Sequence, residues 1–396
     1  MEIRTSIAAL DFFAELPDPR QAGKVTYPLE EIILIALCAG ICGADSFVEF
    51  EEFGKSKINF LRRFLPFENG IPSHDTFGAV FSNIDPKHFG KIFIAWVESL
   101  QGEMPGLVAI DGKTIRCPMN GAIPPVHIVS AWASEQNLVI GQIKTEEKTN
   151  EITAIPKLLA MLSLKNALVS IDAMGCQKSI AEQIILAKAD YLLAVKQNQK
   201  TLYDDIALVF QGVESGTFPV ETEEITVVEK GHGRQETRIY SICHVIEPLA
   251  RNKDWKNLQC IGKVRSIREI AEKTSDETRY FISSRKLKVQ EFAKAVRKHW
   301  SIENSLHWVM DIVFKDDESR VRTRHAATNF VTLKHITLNM IKSMPVKASM
   351  RVRRKRAGWD DSFLQAVLGA APSASLHAIA LLESITLLMI YLFFIF

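Results

Sequence analysis

The sequence has few cysteines and no recognisable export signal. Its six cysteines are scattered through 396 residues, with no CxxC pair and no histidine at zinc-finger spacing. This excludes a disulfide-stapled module and a cysteine-based metal site. The N-terminus lacks a basic start followed by an apolar run, so no secretory signal is predicted. Scattered thiols are typical of a reducing compartment, and we therefore predict a cytoplasmic location.

The chain also lacks a large net charge, because 48 basic side chains nearly balance 46 acidic ones to give +2. The charges are separated along the chain, however. Residues 1–100 and 101–249 each carry a net −5, whereas residues 250–360 hold 26 basic against 12 acidic side chains. This local excess favours an anionic partner such as nucleic acid, with a solvated helix face as the alternative. The 47% hydrophobic content excludes a disordered or fibrous chain.

Residues 1–100 are predicted to form a helical N-terminal domain. Apolar residues recur at helical spacing over 27–42, and a short helix is predicted over 76–84, before Asp85 and Pro86. Several short helices could make a DNA-binding helix-turn-helix, but the negative charge of this segment equally favours a plain packing domain.

The pattern then changes to alternating strands and helices, which predicts an α/β core with a mixed sheet in residues 101–212. Residues 213–285 read as a β-rich insertion. A long helix over 289–314 begins the second part of the core, residues 286–350, and a basic segment follows at 351–368. The predicted strands are 107–110, 127–132, 138–143, 167–171 and 191–195 in the core, and 224–229, 236–245, 259–265 and 278–283 in the insertion; helices are predicted at 150–161 and 177–188.

Three carboxylates stand out from this pattern. Asp111 and Asp172 each follow an apolar strand run, where α/β folds commonly place active-site groups, although an aspartate can simply start a turn there. Glu303 lies on the apolar stripe of the predicted long helix and is expected to face inward, flanked by His299 and His307. A buried carboxylate needs a metal, a proton or a cationic partner, so a structural salt bridge is the alternative to a functional role.

Three carboxylates without a cysteine or histidine cluster suit hard cations such as Mg²⁺ or Mn²⁺. Two such ions can activate an attacking oxygen and stabilise a leaving oxygen at phosphorus. The sequence therefore predicts metal-dependent phosphodiester chemistry.

Four motifs resemble those of the DDE transposases of bacterial insertion sequences, most closely the ISAs-type family with its H-repeat-associated (Rhs-linked) proteins. They are AIDGK at 109–113, SIDAMG at 170–175, KGHGR at 230–234 and HWSIENSLHW at 299–308, and the resemblance runs from about residue 8 to about 367. It implies an RNase H-like catalytic core interrupted by a β insertion. It also implies that Asp111, Asp172 and Glu303 form a catalytic triad that holds two Mg²⁺ ions, for which Mn²⁺ substitutes.

The resemblance further implies cleavage of double-stranded DNA at element ends, strand transfer to target DNA, and a homo-oligomeric synaptic complex. Where the wider superfamily has Tyr, Arg and Lys around the glutamate, this chain has Val296, His299 and Met310. His299 therefore becomes the expected phosphate contact. The full set of predicted DNA contacts, any of which could instead be solvated polar residues, is Lys113, Lys196, Gln197, Asn198, His232, Arg234, Arg238, His299, His307, Arg320, Arg322 and Arg324; the run 351–356 is predicted to be a polyanion patch.

Residues 376–396 are almost wholly apolar. We predict that 369–396 is a frame-changed or read-through extension outside the family fold, with a membrane anchor as the less favoured alternative because Glu383 interrupts the stretch. Two further functions stay open: an inactive DNA-binding remnant of a transposase, motivated by the tail and by Val296 and Met310, and an RNase H-like nuclease without strand transfer.

Overall fold

The computed structural model describes residues 8–100, 106–116, 125–145, 151–231, 233–270 and 273–369. The predicted contact His232, and the apolar tail beyond Gly369, lie outside these residues. Five of the six cysteines lie within them, and all five are free thiols, as predicted. Within these ranges no one helix combines the length and apolarity needed to cross a membrane; Leu29–Cys42 and Phe47–Leu61 would do so only jointly, as a pair bent by 97°.

Five helices precede the first strand, which confirms the helical prediction for 8–100. The second is buried along almost its whole length, so its uninterrupted apolar run is that of a core helix. The fourth helix ends at Asn83, just before Asp85 and Pro86, as the sequence predicts. The helices are α1 (Ala8–Phe13), α2 (Leu29–Cys42), α3 (Phe47–Leu61), α4 (His74–Asn83) and α5 (Pro86–Leu100).

Nine strands form one sheet in the order β3-β2-β1-β4-β5-β9-β8-β7-β6. The first three strands are an antiparallel meander, and the next two lie parallel to β1, which is the predicted RNase H-like mixed core. This half comprises β1 (Leu107–Ile115), β2 (Val126–Ala133), β3 (Leu138–Lys144), α6 (Glu151–Leu159), β4 (Leu168–Ile171), α7 (Lys178–Leu186), β5 (Asp190–Val195) and α8 (Lys200–Glu214).

The β-rich insertion continues the same sheet. Its last strand pairs with β5, in a register that sets Leu193 against Ile282, so the insertion widens the core sheet at one edge. Three of these strands run beyond their predicted limits because their outer parts are polar and exposed, whereas the strand predicted at 236–245 lies two residues earlier, at 234–243. They are β6 (Thr222–Gly231), β7 (Arg234–Cys243), β8 (Cys260–Ile270) and β9 (Lys273–Ser283).

The helix predicted over 289–314 is interrupted. A turn of π-helix, Glu303–His307, separates two α-helical parts. The remaining elements are α9 (Val289–His299), α10 (Trp308–Ile312), α11 (Ala326–Lys342), α12 (Met350–Trp359) and α13 (Asp361–Gly369).

Helix α11 is buried and links the helical domain to the sheet. The Asn339 side chain pairs with both backbone groups of Val139 on β3, at 3.0 Å and 2.8 Å. On the other side, the Asn329 amide donates to the carbonyls of Phe81 and Ile84 at the end of α4. These buried hydrogen bonds fix the N-terminal helices against the core.

The basic run 351–356 is only partly a surface patch. Arg354 is buried, donates to the carbonyl of Gly40 and to Asp45, and stacks on the Phe314 ring at 4.2 Å. Arg353 donates to the carbonyl of Ala348 in the turn before α12 and to the carbonyl of Ile341 near the end of α11. The prediction of a polyanion patch over the whole run is therefore wrong for these two arginines, whose side chains are used within the fold.

Candidate active site

Asp111 and Asp172 lie side by side on neighbouring parallel strands. The register sets Ile110 of β1 against Ile171 of β4, and each aspartate is the next residue. Asp172 follows the end of its strand, as predicted. Asp111 lies inside β1, because β1 continues its pairing with β2 as far as Ile115.

The end of α9 is fixed over these strands by polar contacts. His299 Nδ1 lies 2.6 Å from Ser170 Oγ on β4. The Trp132 indole on β2 donates to Ser301 Oγ at 3.2 Å. Together they place the following π-helical turn, and therefore Glu303, above the two aspartates.

Glu303 does not face the core as the helical stripe predicts. Its side chain is 50% exposed, although Val296, Leu306 and Met310 are buried as expected. Glu303 is the first residue of the π turn, where the backbone departs from the regular α-helical period. Glu303 thus points into a pocket that is open to solvent.

All three predicted catalytic carboxylates line this pocket, which has a volume of about 180 Å³. The structure therefore brings together Asp111, Asp172 and Glu303 from two strands and a helix. The other polar and aromatic residues that share the wall are Ser170, Lys196, Arg279, Phe281, His299 and Trp300.

His307 lies between two of the carboxylates. It is buried, and its Nδ1 is 3.5 Å from Asp111 Oδ2 and 3.6 Å from Glu303 Oε2. One ligand atom from each of these three residues lies within 4.8 Å of the others. The sequence predicted His307 as a DNA contact, but the structure places it inside the acidic cluster.

The pKa values reflect this crowding. Burial raises the pKa of Asp111 to about 7; His307 opposes the rise, and the Glu303 and Asp172 carboxylates add to it. Burial likewise raises the pKa of Asp172, against the backbone N–H of Gly175, which hydrogen-bonds the carboxylate. In contrast, the His307 imidazole lowers the pKa of the Glu303 carboxyl.

This donor set fits a hard divalent cation. Carboxylate oxygens dominate it, and these are the ligands that Mg²⁺ and Mn²⁺ prefer. Because burial, together with the neighbouring carboxylates, raises the pKa of Asp111, a bound cation would stabilise the ionised form. The metal-ligand set predicted from the sequence contains only carboxylates and therefore omits His307.

Three of the residues predicted to contact DNA lie at or beside the pocket, and their surroundings differ. Lys196 lines the wall next to the carboxylates. Lys113 pairs instead with Asp311 and donates to the His307 carbonyl at 3.5 Å, so its charge supports the π turn. Burial lowers the pKa of His299 to about 4, which leaves its ring neutral near pH 7 and able to offer hydrogen bonds only.

The loop after β5 and the hairpin of the insertion hold four more predicted contacts. Asn198 donates to the Ala173 carbonyl at 2.7 Å, which ties this loop to the one that carries Asp172. Gln197 is exposed in the same turn, and Arg234 is exposed at the start of β7. Arg238 bridges Glu229 and Glu236, at 2.6 Å each, and is mostly buried.

The three predicted arginines after α10 line a separate, open groove of about 690 Å³. The opposite wall is a face of α4 with small residues such as Gly78 and Ala79. Arg324 donates to Asn83 Oδ1 at 2.9 Å, while Arg320 is exposed. Sequence spacing could not predict that Arg320, Arg322 and Arg324 lie opposite the helical domain.

Two pocket residues were missed by the sequence reasoning. Trp300 precedes Glu303 by three residues in the motif at 299–308, which by itself indicates no role for the tryptophan. Arg279 lies on β9, outside that motif. The only signal for Trp300 was an aromatic side chain beside the glutamate on a helix end. Arg279 has no local signal, since its position depends on the β5–β9 pairing.

Family models match most of the chain. A model described as the transposase DDE domain matches residues 102–340, and one described as DDE_Tnp_1-associated matches residues 10–97. The first contains all three carboxylates, and the second corresponds to helices α1 to α5.

Individual relatives agree with the models. The chain is 41% identical over 377 residues to the candidate transposase YncI of Escherichia coli O157:H7, covering 91% of this chain and 94% of that protein. It is 39% identical over 374 residues to the H repeat-associated candidate transposase YhhI of Escherichia coli K12, covering 91% and 98%. Among solved structures, a piggyBac transposase synaptic complex with hairpin DNA aligns with a TM-score of 0.42 and 11% identity, over 92% of this chain and 78% of that chain; a likeness this weak supports no further statement.

Proposed function

The chain belongs to the DDE transposase family of bacterial insertion sequences, in the H-repeat-associated group, and we propose on this basis that it binds the ends of a mobile element, cleaves them and joins them to target DNA. The observation that carries the proposal is the convergence of Asp111, Asp172 and Glu303 on one pocket.

In this proposal the three carboxylates hold two divalent cations, Mg²⁺ or Mn²⁺, with His307 beside them. Such ions, when bound, supply charge stabilisation to the attacking and leaving oxygens at phosphorus. His307 orients Asp111 and Glu303 from its buried position between them. Lys113 holds the turn that carries His307 through its pair with Asp311.

The proposed reaction has two steps at phosphorus. Water attacks the phosphodiester at the element end and leaves a 3′-hydroxyl, and that hydroxyl then attacks a phosphodiester of the target. Lys196 and Arg279 on the pocket wall are placed to contact the DNA backbone, as cations do at phosphates. The arginines of the groove beside α4 would extend this contact over the duplex.

The proposed organisation keeps the predicted segments. The helical domain is 1–100, the catalytic core comprises 101–212 and 286–350, the sheet-extending insertion is 213–285, and 351–368 is a basic segment. A homo-oligomeric synaptic complex and a cytoplasmic, nucleoid-associated location belong to the same proposal.

The test is strand cleavage of a plasmid that carries the inverted repeats flanking the gene. Asp111→Asn should abolish Mg²⁺-dependent cleavage and joining while leaving DNA binding intact. Asp204→Asn, which changes an exposed carboxylate on α8, is the matched control and should behave as the unmodified protein. Undiminished cleavage by the Asp111 variant would refute the proposed site.

A second candidate is a DNA-binding remnant without catalytic activity. Val296 and Met310, which replace polar residues of the wider superfamily pattern, are both buried, and neither apolar side chain can donate a hydrogen bond to a phosphate. Specific binding of the inverted repeats with no nicking in either Mg²⁺ or Mn²⁺ would favour this alternative. Nicking without joining would instead favour a nuclease.

A further inference from the structure

We propose that one face of the β-rich insertion is the surface on which a second copy of this chain docks, with the two insertions stacked face to face about a two-fold axis. The inference rests on the homo-oligomer of the proposed function and gives that oligomer a defined surface. The face belongs to the part of strands β6 to β9 that extends beyond helix α8.

The two sides of the insertion sheet have different surroundings. On one side, Tyr240 packs against Phe292 of α9, with ring centroids 6.2 Å apart. Because side chains alternate along a strand, Ile239 points to the opposite side. Helix α8 covers the inner end of that side, where Lys263 Nζ lies 5.2 Å from the centroid of the Phe210 ring. The strands continue past the end of α8, and their continuation on this side is the face in question.

This outer face consists of three rows of residues paired across the four strands. In the order β6, β7, β8 and β9 the rows are Thr226, Ile239, Arg265 and Thr278; Val228, Thr237, Ile267 and Asp276; and Lys230, Gln235, Glu269 and Thr274. None of these side chains is buried, and Val228 is 53% exposed. Apolar, β-branched residues left open on one side of a sheet indicate a surface that another protein covers.

The charges of the outer face are arranged to fit a copy of itself. A two-fold axis that runs across the strands at the middle row stacks each strand antiparallel on its own counterpart and places the first row over the third. Val228 and Ile267 then lie at the centre, each against its equivalent. Arg265 lies opposite the partner's Glu269, and the same contact recurs on the other side of the axis.

The remaining charges of the outer face are compatible with this pairing and do not favour DNA. Arg265 also pairs with Asp276 of its own chain, at 2.6 Å, which neutralises the acidic group of the middle row. Lys230 and Arg265 are balanced by Asp276 and Glu269, so the face has no excess of positive charge to attract a polyanion.

The size of the outer face predicts weak association. Four strands about 4.8 Å apart and five residues along each strand at about 3.4 Å give roughly 300 Å² per copy. This is the size of a weak, reversible interface. Self-association in the absence of DNA is therefore expected at high protein concentration.

The test is sedimentation equilibrium of the full-length protein without DNA over a range of concentrations. The unmodified protein should show a reversible monomer–dimer equilibrium. Arg265→Glu and Glu269→Arg each place like charges opposite one another twice in the dimer, and each should weaken self-association by about 10-fold or more. An equimolar mixture of the two variants should recover the dimer, because both contacts in the mixed pair join an arginine to a glutamate.

Recovery in the mixture distinguishes a contact between copies from damage within one chain, since neither variant repairs its own fold by mixing. Val228→Asp, which alters the centre of the face at an exposed position, should also weaken the dimer. Lys165→Glu, an exposed position between α6 and β4, should match the unmodified protein. An unmodified protein that stays monomeric, a dimer that persists in all variants, or a mixture no more associated than its components would overturn the proposal. None of these results would affect the proposed catalytic site, which the cleavage assay of Asp111→Asn tests separately.

Discussion

The Asp111 side chain is 17% exposed and lies beside the carboxylates of Asp172 and Glu303. Burial and this repulsion raise its pKa to about 7, which means that the apo protein holds a destabilised negative charge. His307 offsets part of that cost through its 3.5 Å contact. Such an arrangement destabilises the fold unless a cation compensates it.

We therefore predict opposite effects of Asp111→Asn on the apo and metal-bound proteins. Without divalent metal the variant should be more stable than the unmodified protein by about 1–3 kcal/mol, because a buried charge is removed. With Mn²⁺ it should lose most of the metal-induced rise in Tm, since fewer ligands bind the ion. Differential scanning calorimetry with EDTA and with Mn²⁺ measures both, and an unchanged metal-induced rise would contradict the assignment of Asp111 as a ligand.

The sequence could predict the two aspartates because each follows a short apolar run, a local signal. It could not predict that His307 lies inside the cluster or that Trp300 lines the pocket. Trp300 lies at the end of α9, before the π turn, so its place on the pocket wall depends on how α9 packs on the sheet, whereas His307 lies within the π turn. A hydrophobic pattern read at a constant helical period indicates neither feature.

At the level of elements, helix α12 contains both buried and exposed arginines, which the sequence pattern does not distinguish. Arg354 is buried against Gly40, Asp45 and Phe314, and it joins α12 to the end of α2. Arg351, three residues earlier, is exposed. Composition alone assigns both to a surface patch, because the difference depends on which face of α12 meets the helical domain.

Arg354→Ala should therefore destabilise the protein by about 3 kcal/mol, because it leaves the Asp45 carboxylate with Lys315, at 3.9 Å, as its remaining cation and removes the packing on Phe314. Arg351→Ala, on the exposed face of the same helix, should change the free energy of unfolding by less than about 0.5 kcal/mol. Urea unfolding followed by circular dichroism compares the two. If Arg354→Ala changed the free energy of unfolding by as little as Arg351→Ala is expected to, the buried contacts of Arg354 would not contribute to stability.

Over the whole molecule, the nearly neutral net charge is the sum of an acidic half and a basic segment, which contain different parts of the proposed site. The acidic half provides Asp111 and Asp172, while the basic segment contains Glu303 and the arginines that face α4. The alternation of strands and helices predicted the mixed core correctly. The joining of the insertion to the same sheet and the docking of α1 to α5 on α11 were beyond prediction, since both depend on pairings between residues far apart in sequence.

If the groove beside α4 contacts phosphates, Arg320→Ala should reduce the slope of log affinity against log salt concentration by about 1, because one fewer counterion is released. Lys165→Ala removes an exposed charge between α6 and β4 and should leave the slope unchanged. Filter binding of duplex DNA over a range of salt concentrations gives both slopes. An Arg320 variant with the unmodified slope would exclude this groove from the DNA-binding surface.

The central claim is that Asp111 binds a catalytic metal ion, and a change of metal preference tests it most directly. In Asp111→Cys a thiolate replaces the carboxylate, and sulfur is a poor ligand for Mg²⁺ but an acceptable one for Mn²⁺. The measurement is cleavage of the element ends by this variant in each metal. We predict no cleavage in Mg²⁺ and partial recovery in Mn²⁺, whereas undiminished cleavage in Mg²⁺ would contradict the account.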